Sequence, residues 1–155
     1  DRAERYARAL FGAGQGRWGT NEIGVFKVVL QSSPPHLSNV DRVYREKYDK
    51  SILEALDSEL GGLGETAAGY AAGMKLQPYR TVARQIRLAC RGFGTDELML
   101  TSLIVRYQGI LKEVDEAHKE MYEGMSIAER VEKETGGLYQ YLLLEVIKSA
   151  GVGEE

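Results

Sequence analysis

Residues 12–22 read GAGQGRWGTNE and residues 90–97 read CRGFGTDE. Glycine tolerates positive φ, so loops of this kind can turn several main-chain carbonyls toward one point. Glu59 stands forty positions after Gly19, and Glu134 stands forty after Gly94. A carbonyl-rich loop joined by one distant carboxylate suits calcium, a hard cation that takes six to eight oxygens from carbonyls, carboxylates and water. A single acid leaves the ion with net positive charge and open positions. Such a site binds calcium weakly alone and better when an external phosphate completes the shell.

The first loop also contains Gly14-Gln-Gly16-Arg-Trp-Gly19, a formal match to a dinucleotide fingerprint. That chemistry needs a preceding strand and a pyrophosphate resting on a helix N-terminus. Here Tyr6, Ala7, Leu10 and Phe11 recur at helical spacing among charged residues, so a helix enters the loop. No P-loop lysine and no nucleophile–base pair accompanies it, which argues against nucleotide chemistry and against an enzyme.

The elements that must position these loops repeat. At an offset of 75 residues, Gly19-Thr20-Asn21-Glu22 falls on Gly94-Thr95-Asp96-Glu97, Ser51-Ile52 on Ser126-Ile127, and Gly61-Gly62 on Gly136-Gly137. Such self-similarity marks two copies of one supersecondary unit. The apolar spacing is helical almost throughout, and no alternating strand is found. Thr20 and Thr95 are read as N-caps of the helices that follow them. Pro34-Pro35 stops the first of these, and a further helix runs to Tyr48. Short helices begin near Ser51 and Ser126 and end before the paired glycines. Others span about 63–75 and 138–149, and one follows Pro78. The total expected is about ten. Gly69 and Gly73 inside a helix suggest close packing against a neighbour.

Composition narrows the class. The 155 residues are 43% hydrophobic and 28% charged, as in an ordinary globular chain. The net charge of −3 argues against general nucleic-acid binding. No apolar run approaches a membrane span, the charged opening residues do not read as a signal peptide, and the single cysteine fits a reducing compartment, so the expected location is cytoplasmic. Cys90 is read as a small packed hydrophobe, and His36 and His118 as ordinary surface or capping residues.

"GRWGTNE" followed by "DSELGG", and "CRGFGTDE" followed by "EKETGG", resemble the annexin repeat, K-G-x-G-T-D-E with an acid about forty positions later. The resemblance covers essentially the whole chain. It implies an all-α fold of tandem five-helix repeats in a right-handed superhelical arrangement, and calcium-dependent binding to acidic phospholipid. It implies carbonyls of Cys90, Gly92 and Gly94 with the Glu134 carboxylate as one calcium site. Carbonyls of Gly14, Arg17 and Gly19 with Glu59 form the other, in a loop one residue longer. Trp18 and Phe93 then sit at the loop tips as membrane-contact residues.

Under this resemblance residues 1–12 are the trailing helix of a preceding repeat. Residues 13–91 are similar to a third annexin repeat, and 92–155 to a fourth that ends after its fourth helix. The chain reads as the C-terminal half of a longer protein, peripheral on the inner face of membranes. Ser32 and Tyr107 stand where the family often carries arginine, Asn21 replaces an aspartate, and Pro34-Pro35 is unusual. These departures point to a divergent, protist or alpha-giardin-like member. They also motivate the rival reading, a structural or cytoskeletal interaction protein on the same fold with weak or lost calcium binding. Two repeats without two more would expose apolar surface, which makes self-association an expected property.

Overall fold

The computed structural model describes residues 2–14, 22–59, 62–92 and 94–153. Among them lie ten α-helices, a short 3-10 turn and no strand. The chain forms two compact units, Asp1–Gln77 and Pro78–Glu155.

In the first unit the helices are α1 (Arg2–Gly14), α2 (Glu22–Gln31), α3 (Pro34–Tyr48), α4 (Ile52–Glu59) and α5 (Gly62–Leu76). Helix α1 buries Ala3, Ala7, Leu10 and Ala13, a stripe at the three- and four-residue spacing of one helix face. That stripe packs on α3 and α2, while α4 packs on α5, which also meets α2 and α3. Val25 and Val29, Leu37, Val40 and Tyr44, and Ile52 and Leu56 complete the core. Pro34 and Pro35 occupy the first turn of α3 behind Ser33, where a missing N–H costs nothing. A Cβ built on Gly69 meets no heavy atom within 4 Å, so that glycine is not required by close packing.

The second unit repeats the plan with α6 (Pro78–Ala89), α7 (Glu97–Arg106), the 3-10 turn Gln108–Ile110, α8 (Leu111–Met121), α9 (Ile127–Glu134) and α10 (Gly137–Ser149). Helix α6 packs on α8 and α7, and α10 packs on α9 and α7. Val82 and Ile86, Leu100 and Ile104, Leu111 and Val114, Ile127 and Val131, and Leu143 and Ile147 form its core. Leu98, Leu138, Tyr141 and Leu142 remain exposed on α7 and α10.

This grouping differs from the sequence boundaries at 12/13 and 91/92. Helix α1 shares its buried stripe with α2 and α3, so it belongs with the helices after it, and α6 stands in the same relation to α7 and α8. Hydrophobic periodicity locates a helix without saying which neighbour covers its face.

The short helices that end at Glu59 and Glu134 start by the same device in both units. Ser126 Oγ accepts from Glu129 N at 3.1 Å while Glu129 Oε2 accepts from Ser126 N at 2.7 Å. Ser51 and Glu54 make the matching pair at 3.1 and 2.7 Å. These reciprocal bonds satisfy donors that a helix start leaves orphaned. A carboxylate from the preceding long helix adds a third bond: Asp115 Oδ1 accepts from Ile127 N, and Asp41 Oδ1 from Ile52 N, each at 2.7 Å.

Candidate functional site

Helix α6 tightens as it ends, with Cys90 N donating to Arg87 O and Arg91 N to Leu88 O. The loop beyond it contains Gly92 at φ +107° and Gly94 at φ +94°, both left-handed. A Cβ at either position meets nothing within 4 Å, so backbone conformation and not space calls for glycine. The loop closes where Asp96 N donates to Ala89 O at 2.7 Å. Asp96 then caps α7 by accepting from Met99 N at 2.9 Å.

Thr95 therefore is not the cap that the sequence suggested. Its Oγ1 donates instead to Glu134 O at 2.8 Å, across 39 residues. The hydroxyl ties the glycine loop to the last residue of α9. That helix end is held from α10 as well, since Gln140 Nε2 donates to Glu132 O at 2.9 Å and to Thr135 O at 2.6 Å. Tyr139 OH reaches back from α10 to Glu97 O at 2.9 Å. The backbone of Glu134 is thus fixed beside the loop by side chains from two other segments.

Cys90 and Glu134 line one cleft of about 410 Å³. The Cys90 thiol is pushed up to about 11, first by burial and then by the nearby Glu134 carboxylate, with Arg130 opposing. Cys90 is buried, as its reading as a small hydrophobe requires. Among the described residues no group of three or more His, Cys, Asp or Glu converges as a metal site. Any cation here would depend on main-chain oxygen with a single acid.

Of the other predicted residues, Gly14 is the last of α1 and Glu59 the last of α4. Arg17, Trp18, Gly19, Thr20 and Phe93 lie outside the described residues.

His118 departs from its surface reading. It is fully buried, its Nδ1 lies 2.7 Å from Met125 O, and its Nε2 accepts from Arg130 Nε at 2.8 Å. A neutral ring protonated on Nδ1 satisfies both contacts. Its position among Val114, Asp115 and Ala117 on the buried face of α8 was the available signal. No local pattern in the sequence marks Lys75. Its Nζ donates to Val29 O, Leu30 O and Ser32 O at 2.7–2.8 Å, giving the C-terminal end of α2 its cation from a helix more than forty residues later.

Helices in repeated units, linked by a glycine loop to a distant acid, define the architectural class. Residues 5–67 match the annexin family model. Annexin A13 of Schistosoma japonicum is 31% identical over 145 residues, covering 93% of this chain and 41% of that protein. A solved structure of annexin A8 with an intact N-terminus is similar at TM-score 0.86 and 27% identity, covering 96% of this chain and 47% of its own. Calcium-bound alpha-14 giardin shares the fold at TM-score 0.79 and 20% identity, covering 97% and 49%. The chain belongs to the annexin family. It spans less than half the length of each of these relatives. No helix among the described residues is long and apolar enough to cross a membrane.

Proposed function

We propose that this chain binds calcium at the Cys90–Asp96 loop and, through that ion, attaches to acidic phospholipid. The observation that supports the reading most is the Thr95 Oγ1 hydrogen bond to Glu134 O, because it secures the acid's helix end against the glycine loop. The residues fit such an ion: two glycines at positive φ allow the chain to curl, and one carboxylate stands at the adjoining helix end. Carbonyls of Cys90, Gly92 and Gly94 with the Glu134 carboxylate would hold it. Calcium, when bound, supplies a positive centre with room for a phosphate oxygen.

By repeat symmetry, Gly14, Arg17 and Gly19 with Glu59 form the companion site. Trp18 and Phe93 at the loop tips enter the bilayer interface, where an aromatic body suits headgroup depth. The family relationship and the calcium-bound giardin of the same fold support the choice of ion. The protein acts as a peripheral, non-catalytic membrane module on the cytosolic face.

Co-sedimentation with phosphatidylserine vesicles tests this. The chain pellets with calcium and stays in solution with chelator, and Glu134→Gln weakens the calcium response about tenfold while far-UV circular dichroism is unchanged. Equal pelleting in calcium and chelator refutes the mechanism. No calcium heat at millimolar concentration, with capture of a protein partner, would favour the structural reading instead.

A further inference from the structure

We propose that the cleft between the ends of α6, α8 and α9 is an anion site for a phosphate monoester, built around Arg130 with Arg87, Arg91 and Lys133. Arg130 is only 6% exposed. Its Nε is engaged by the neutral His118 ring, whose other nitrogen is held by Met125 O, so the guanidinium is oriented by a partner that carries no charge. A buried guanidinium without a counter-ion is costly, which makes an incoming anion favourable there.

Arg87 joins it, the two guanidinium carbons lying 5.0 and 5.3 Å from the Tyr122 ring centroid. Among the described residues none of the four cations has a carboxylate within ion-pair distance. Glu123 and Glu134 are the acids in the lining, so four positive groups face two negative ones.

The first repeat lacks these cations at the corresponding positions. At the 75-residue offset Arg130 corresponds to Ala55, Lys133 to Ser58 and Arg87 to Gly12. His118 and Tyr122 correspond, one position closer, to Tyr44 and Tyr48. There Phe11 stacks on Tyr48 at 3.7 Å and meets Tyr44 edge-on at 6.5 Å. The second repeat has exchanged an aromatic cluster for a basic recess. A phosphate monoester carries close to two negative charges at neutral pH, and its three terminal oxygens match the guanidinium donors. A recess of about 410 Å³ admits the phosphate with part of its substituent.

The test uses the full chain with chelator present throughout, so that failure of the calcium reading leaves it untouched. Inorganic phosphate is titrated and the Arg130 side-chain Nε–H resonance is followed. It shifts saturably, and the double substitution Arg87→Gln with Lys133→Gln, both exposed positions, weakens apparent affinity about tenfold with a dispersed spectrum retained. A second arm compares vesicles of phosphatidate, a monoester, with vesicles of phosphatidylglycerol, a diester. Preference for phosphatidate that the double variant loses assigns the site to a lipid headgroup. Saturable phosphate binding without that preference assigns it to a soluble phosphomonoester. Absence of a saturable shift, or a shift that the double substitution leaves unaltered, overturns the proposal.

Discussion

Replacing Thr95 by valine keeps nearly the same volume and deletes the hydroxyl that donates to Glu134 O over 2.8 Å. The bond is partly buried, so its net worth is about 1 kcal/mol, rising to about 2 kcal/mol if the carbonyl finds no water. The rest of α9 stays anchored, because Gln140 holds Glu132 O and Thr135 O, and Thr135 N donates to Val131 O at 3.0 Å. The substitution therefore separates loop from acid without melting the helix. A loss of 1 kcal/mol in the positioning of Glu134 corresponds to about a fivefold weaker calcium constant at that site. Calorimetric titration of calcium measures this, and urea unfolding measures the accompanying loss of stability. Thr95→Ser keeps the donor and is expected to retain most of both. If Thr95→Val changes neither calcium affinity nor unfolding free energy, the hydrogen bond does not position the acid and the reasoning fails.

Asp115→Ala removes a carboxylate, 3% exposed, that caps α9 at Ile127 N and pairs with Lys119 Nζ at 2.7 Å. Urea unfolding is expected to show a loss of about 2–3 kcal/mol, and a loss below 0.5 kcal/mol would contradict the cap assignment. Burial, the leading cause, holds the His118 pKa below its ordinary 6.5; the Met125 carbonyl opposes this and Arg130 reinforces it. The unfolded chain then binds the extra proton first, so stability falls as pH drops through 6.5 and levels off below the depressed native value. His118→Tyr, which installs the residue type found at Tyr44 in the first repeat, is expected to flatten this slope, and an unchanged slope would remove His118 as its source.

The signals legible in the sequence were those confined to a few turns of chain. Ala7 and Leu10, or Leu100 and Ile104, mark buried faces by spacing alone, and Ser51 and Ser126 announce helix starts because their partners lie three residues away. The repeat and its glycine loops were equally plain, since copies share composition at a constant offset. The correct cap of α7 was harder: Thr95 and Asp96 are both able cap residues, and the choice fell to Asp96 because packing brings α9 within reach of the threonine hydroxyl.

Helical content and doubling of the unit were thus determined by the sequence itself, because they rest on backbone preferences and short-range periodicity. Only the tertiary structure decided that α1 and α6 open their units, that Lys75 caps α2, and that His118 is buried beneath Arg130. Each of those depends on segments far apart in the chain meeting across a shared core. A linear pattern records the faces that need covering and leaves their partners to the packing.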